Sequence, residues 1–210
     1  PYEPDFDIRS IVRLEDVMKE ERLGPNGGLM RSIEIAAKNI DNIFYGILRA
    51  SRNADWVIID TTGQLELFAF RELGDKLISM LVGFPSVGIF LVDSSIFSRP
   101  SDIVMAQLLA TAIQVKLNLS IITILNKIDV GGKRVRDLLE QLYMDPDGFR
   151  EKVIGERFGV FSGLAADLVE VIHQYLSPSR IVAISAINGE GFDELYHIIH
   201  EAFCTCGDLT

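Results

Sequence analysis

Four short apolar segments constrain what this chain can fold into: Trp56-Val-Ile-Ile-Asp60, Ser86-Val-Gly-Ile-Phe-Leu-Val-Asp93, Ser120-Ile-Ile-Thr-Ile-Leu125 and Arg180-Ile-Val-Ala-Ile-Ser185. None shows the apolar/polar alternation of a strand with one wet face. Such continuous runs belong to strands buried on both sides, and stretches of helical character separate them. The pattern predicts an α/β fold with a mainly parallel sheet and helices on both faces, three layers in all. Helices are expected over Leu65 to Leu81, from Pro100 to about Asn118 with Ser101 as its cap, and after Gly191. Another long amphipathic helix is expected over Ile33 to Leu48, introduced by the turn Leu23 to Gly28. In sheets of this kind ligands bind at the carboxyl ends of the strands. Asp60, Asp93, Asn126 and Ser185 all fall at such ends.

Between the third and fourth strands, residues 132–178 read as a helical insertion. It contains the turn signal Asp145-Pro146-Asp147-Gly148 and then an apolar series, Phe158, Val160, Phe161, Leu164, Leu168, Val171 and Ile172. That apolar content is generous for a surface excursion. A length of 210 residues, 48% of them hydrophobic, is enough for one sizeable core, and residues 1–210 read as a single domain carrying this insertion.

Charge and cysteine usage exclude several function classes. A net charge of −10 argues against direct nucleic-acid binding, which needs a basic face. No apolar run reaches the roughly 18–20 residues of a membrane span; the longest, Ile78 to Val92, is broken by Gly83, Pro85 and Gly88. Cys204 and Cys206 are too close in sequence to staple a fold, which fits a reducing, cytoplasmic setting. Together with His197 and His200 they could be imagined as metal ligands. However, Phe192, Leu195, Tyr196, Ile199, Ala202 and Phe203 mark the buried face of the last helix, and both histidines then fall on its polar side. The opening Pro-Tyr-Glu-Pro, without an initiator Met, reads as a piece cut from a longer chain.

Three motifs at strand ends carry chemistry. Asn126-Lys127-Ile128-Asp129 follows the third strand. There the Asp129 carboxylate can accept two hydrogen bonds from N1 and N2 of guanine, a donor pair adenine lacks. Lys127 can lay its methylene stem along the base plane, and Asn126 can tie neighbouring loops together. Read as structure alone, the tetrapeptide is a polar turn with Asp129 capping the next helix. Asp60-Thr61-Thr62-Gly63-Gln64 has the form of a switch segment. Asp60 can hold Mg²⁺ through water, the Gly63 N–H can approach a terminal phosphate, and Gln64 can orient an attacking water. By itself, Asp-x-x-Gly is an ordinary strand-to-helix turn. Ser185-Ala186-Ile187 offers backbone N–H groups to guanine O6. Order and spacing make the three a set: 66 residues separate Asp60 from Asn126, and 59 separate Asn126 from Ser185.

With these motifs, Tyr2-Glu3-Pro4, Asp7-Ile8-Arg9 and Gly24-Pro25-Asn26-Gly27, the chain resembles the GPN-loop GTPases, a homodimeric branch of the P-loop GTPases, over essentially its whole length. Its ending, Cys204-Thr-Cys-Gly-Asp-Leu-Thr, looks like that of archaeal members. The resemblance implies a P-loop NTPase-like fold, GTP and GDP as ligands, Mg²⁺ as cofactor, and hydrolysis of GTP in a homodimer. It further implies that the Gly24-Pro25-Asn26 loop crosses the interface, so that Asn26 meets the partner's phosphates; an amide can both donate to a phosphate oxygen and accept from water. A protein client is implied as well, since eukaryotic members act as assembly factors for RNA polymerase.

Two departures stand out. Thr62 replaces the proline of the usual Asp-Thr-Pro-Gly-Gln, so the switch loses a fixed φ. The phosphate loop Gly-x-x-x-x-Gly-Lys-Ser/Thr has no counterpart, and Gly131-Gly132-Lys133-Arg134 lacks its spacing and hydroxyl. The first strand and phosphate loop, about one N-terminal βαβ unit, are therefore expected to lie outside this sequence, and this polypeptide alone is expected not to hydrolyse GTP. The competing readings are a non-catalytic guanine-nucleotide-binding or assembly module whose insertion holds a client, and an ATP-using relative, against which Asp129 speaks.

Overall fold

Apolar segments with helical spacing between them assemble into strands only where a neighbour takes up their backbone hydrogen bonds. Three of the four candidates meet that condition. The computed structural model describes residues 2–156, 159–175 and 181–203. The chain divides into two compact units, 1–84 and 85–210.

The second unit contains the sheet. Strands β1 (Gly88–Asp93), β2 (Ile121–Asn126) and β3 (Ile181–Ala183) pair in parallel in the order β1-β2-β3. The register sets Gly88 beside Ile121 and Asp93 beside Asn126, and sets Thr123 to Leu125 beside Ile181 to Ala183. Helices alternate with the strands: α6 (Pro100–Leu117), α7 (Ile128–Met144), α8 (Pro146–Gly155), α9 (Val160–Tyr175) and α10 (Phe192–Phe203). On one face of the sheet, Leu125 and Ile181 join Ile103 and Val104 of α6 and the buried residues of α7, α8 and α9, including Leu142, Phe149, Val153 and Val169. On the other, Ile122, Ile124, Val182 and Ile184 pack with Leu195 and Ile198 of α10. Alternate strand residues thus face opposite helical layers, the three-layer α/β arrangement of P-loop NTPase-like folds. The buried polar pair on this sheet is satisfied internally, with the Thr123 hydroxyl 3.2 Å from Gln107 Oε1.

Helices α7, α8 and α9 supply most of the larger core cluster. The Asp145-Pro146-Asp147-Gly148 turn is the junction between two of them. Asp145 caps α8, its carboxylate accepting from the Gly148 N–H at 3.0 Å, and Pro146 stands at the first helical position. Phe158, Cys204 and Cys206 lie outside the described residues.

Several local expectations are corrected. Ser101 does not cap α6; Arg99 occupies that position, with Asp102 Oδ2 accepting from the Arg99 N–H at 2.8 Å. The backbone N–H and hydroxyl of Ser101 instead bond the Glu156 carboxylate. The buried face of α10 is Leu195 and Ile198, while Phe192 and Tyr196 are about half exposed and Tyr196 stacks edge-on against His200. That face is the one that reaches the sheet.

The first unit is helical: α1 (Leu14–Glu20), α2 (Pro25–Lys38), α3 (Ile40–Ala50), α4 (Leu65–Ala69) and α5 (Glu72–Met80). Its core joins Ala36, Ala37, Ile40, Ile43, Leu73 and Leu77. The helix expected over 33–48 is two helices broken at Asn39, whose amide donates to the Ile35 carbonyl at 2.8 Å and so satisfies a terminal acceptor of α2. The helix expected over 65–81 is likewise two, divided at Phe70 and Arg71. Trp56–Asp60 forms no strand. The segment has no ladder pairing among the described residues, and the Ile58 side chain is 92% exposed. An apolar sequence favours a strand, but a ladder partner is required to make one.

Among the described residues no helix is long and apolar enough to cross a membrane. Replacing Phe149, fully buried between α8 and the sheet-facing helices, with Ala should cost about 3–5 kcal/mol; chemical denaturation of the variant against the parent measures this directly.

Candidate functional site

In the second unit, pairing of β2 with both neighbours brings Asp93, Asn126, Lys127, Asp129, Ser185 and Ala186 to one end of the sheet. Beyond β3 the Ile184 N–H still donates to the Leu125 carbonyl at 2.9 Å, and the Ile128 N–H donates to the Ile184 carbonyl at 3.2 Å. These bonds hold the chain after β3 against the turn after β2. The Asn126 side-chain oxygen then accepts from two backbone groups, the Lys127 N–H at 2.8 Å and the Ala186 N–H at 3.1 Å. One amide oxygen therefore ties the two loops together.

Lys127 is the cap of α7 and lies in the left-handed region, with φ of 66°. Few non-glycine residues adopt this conformation, and it persists only where surrounding bonds enforce it. Asp129, in the first turn of α7, accepts at Oδ1 from the Ser185 hydroxyl at 2.7 Å. It does not cap the helix. Ser185 is fully buried, and its hydroxyl oxygen also accepts from the Asn188 N–H at 3.2 Å. The Ser185 N–H and carbonyl bond Glu190 and Gly189, closing a tight exposed loop over 186–190. Ile187 is 83% exposed. Gly191 returns the loop to the sheet with φ of 84°, and a Cβ there would come within 2.3 Å of the Ala183 carbonyl oxygen. Only glycine fits that path.

In the sequence Asp93 is marked only by its position at a strand end. The Lys127 ammonium donates to its Oδ2 at 2.6 Å, and its Oδ1 accepts from the Ser95 N–H at 3.0 Å and the Ser95 hydroxyl at 2.6 Å. These donors, Lys127 foremost and then Ser95, hold the Asp93 carboxyl down at about 2, and the same pairing raises Lys127.

The remaining candidates belong to the first unit. Gly24-Pro25-Asn26-Gly27 is the cap and first turn of α2 rather than a loop: Gly24 is the cap, Pro25 the first helical residue, and the Gly28 N–H donates to the Gly24 carbonyl at 2.8 Å. None of its glycines has a positive φ. Gly28 is there for a different reason, since a Cβ would come within 2.4 Å of Met18 Cγ on the packed helix α1. Pro25 and Asn26 are exposed. Asp60 is exposed and accepts from the Tyr2 hydroxyl at 2.7 Å, which raises the Tyr2 phenol above its ordinary value. Gly63 and Gln64 are exposed at the start of α4. Gly131 to Arg134 lies inside α7, not between a strand and a helix. Among the described residues no group of three or more His, Cys, Asp or Glu side chains could hold a metal ion. A lone carboxylate such as Asp60 is nonetheless the donor Mg²⁺ uses when water and substrate phosphates complete its shell.

A buried parallel sheet with a loop-tying Asn-Lys-x-Asp turn at its carboxyl end defines a nucleotide-binding α/β protein of the P-loop NTPase-like class. A family described as conserved hypothetical ATP binding protein matches residues 1–205. A GPN-loop GTPase of Pyrococcus abyssi is 32% identical over 212 residues, covering 100% of this chain and 83% of the relative. GPN-loop GTPase 1 of Dictyostelium discoideum and a GPN-loop GTPase of Arabidopsis thaliana are each 30% identical over 200 residues; the match spans 95% of this chain but only 50% and 52% of theirs. The crystal structure of a GTPase in apo form from Pyrococcus abyssi superposes with a TM-score of 0.86 at 29% identity, covering 98% of this chain and 82% of that one. The chain belongs to the GPN-loop GTPase family, and its class of activity at that level is nucleotide-binding and GTPase-type.

The pairing of Asp93 has a sign that can be checked. Its carboxyl titrates lower in the folded chain, so its contribution is fully present above the ordinary carboxylate range and lost as pH falls through about 2. Carboxyl carbon NMR should place the Asp93 midpoint near 2, and in Lys127→Ala it should move up toward the ordinary value.

Proposed function

We propose that this protein is a homodimeric GTPase that converts GTP to GDP and phosphate and serves as a switch in the assembly of protein complexes. The observation that carries the reading is the Asn126 side-chain oxygen bonded to both the Lys127 and Ala186 N–H groups. It supports a preformed turn in which Asp129 reads N1 and N2 of guanine, the Lys127 stem covers the base, and the Ile187 N–H meets O6 while the Ala186 N–H is held by Asn126. Asp129 uses Oδ1 for Ser185, which fixes the carboxylate plane in advance of the base.

Residue by residue, Asp60 holds Mg²⁺, which neutralises charge developing on the phosphates. The Gly63 N–H approaches the terminal phosphate and Gln64 orients the attacking water. Gly24 and Pro25 present Asn26 to the phosphates bound by the second copy, where it both donates to an oxygen and positions water. Residues 1–210 would form one GTPase domain. Exposed Met144, Phe161 and Leu164 on the helices after β2 favour a second reading, a client-binding module without turnover.

Steady-state GTP hydrolysis by the full-length chain separates the two readings. Asn26→Ala should lower kcat by roughly 10²–10³-fold, the usual effect of removing one transition-state donor; unchanged turnover would remove Asn26 from the mechanism. Asp129→Asn should leave a guanine donor unpaired, at a cost of about 1–3 kcal/mol in GDP binding. Calorimetry with GDP and ADP reads the effect as a loss of guanine preference.

A further inference from the structure

Lys127 is held at both ends of its side chain. At the backbone, its left-handed conformation is enforced by the Asn126 side chain and by the start of α7. At the tip, Asp93 Oδ2 accepts from the ammonium at 2.6 Å. Asp93 is itself immobilised, because Ser95 occupies Oδ1 through both its N–H and its hydroxyl. The β1–β2 register sets Asp93 directly beside Asn126, so strand pairing brings the anchor to the lysine.

From this geometry we propose that Asp93 is a positioning residue for the nucleotide base. By gripping the Lys127 ammonium it stretches the four-carbon stem along the ends of β1 and β2 and presents it as a ready-made face for the purine ring. An exposed lysine without such an anchor samples many rotamers, and stacking on the base would have to order it; an anchored stem has already lost that freedom. The pair is more than half exposed on the lysine side, so its part in global stability is small and its effect belongs to binding. This inference rests on the guanine-binding reading above. Asp93 touches no base atom and acts only through Lys127.

A double-mutant cycle in the full-length protein, read as GDP and guanosine dissociation constants, tests it. Asp93→Ala should weaken GDP and guanosine alike, by about 3–10-fold. Asp93→Asn, isosteric and able to keep the Ser95 contacts, should weaken them in the same direction and guards against a folding defect in the Ala variant. In the Lys127→Ala background both Asp93 substitutions should have no further effect, since there is no stem left to position. Equal factors in the two backgrounds would overturn the proposal, because a merely structural role of Asp93 adds independently of Lys127. If the parent protein binds ADP as well as GDP, or neither, the guanine reading falls and takes this inference with it. If the parent prefers GDP and the cycle is additive, the inference falls alone.

Discussion

Strand β2 carries the rest of the site. It is bonded in parallel on both edges and buried on both faces, and that double constraint admits almost nothing but apolar side chains along its length. Chemistry is expelled to the point where the strand stops. There the exposed turn begins at Asn126, the bonds from β1 and from the chain after β3 converge, and the polar groups gathered at this end lie only a few residues past a strand end. The loops are exposed yet ordered, because their backbone groups are bonded to one another and to Asn126.

The polar groups at this end divide into those that hold and those that are presented. Ser185 is buried and Asn126 half-buried, and both are spent on internal hydrogen bonds. Lys127, Asp129, Ala186 and Ile187 are exposed. Asp93 falls between the two groups: it is partly exposed, and Lys127 first and then Ser95 hold its carboxyl down at about 2. A carboxylate in that state is an anchor and not a proton carrier.

Much of this was legible in the linear chain. Three of four strands stand where uninterrupted apolar runs place them, and Asn126, Lys127, Asp129 and Ser185 could be assigned to strand ends before any coordinates. Trp56–Asp60 has the same composition and forms no strand, because composition specifies a preference while a ladder requires a partner. The breaks at Asn39 and at Phe70–Arg71 are similar: the apolar periodicity runs through them, and only the local hydrogen bonds and packing decide that the helices end there. In α10 the apolar spacing places Leu195, Tyr196 and Ile199 on one face, whereas contact with the sheet buries Leu195 and Ile198 with Ile199 packed beside them and leaves Tyr196 half exposed.

The amino-acid sequence by itself determined the layer architecture and the order of the strand-end motifs, since each follows from side-chain polarity and spacing along the chain. Tertiary structure alone decided that Gly24-Pro25-Asn26 begins a helix, that Ser185 is spent on Asp129, and that Asp93 grips Lys127. Those facts depend on which strands lie side by side and in what register. Residues 34 and 56 positions apart come within hydrogen-bond reach only when the sheet has formed.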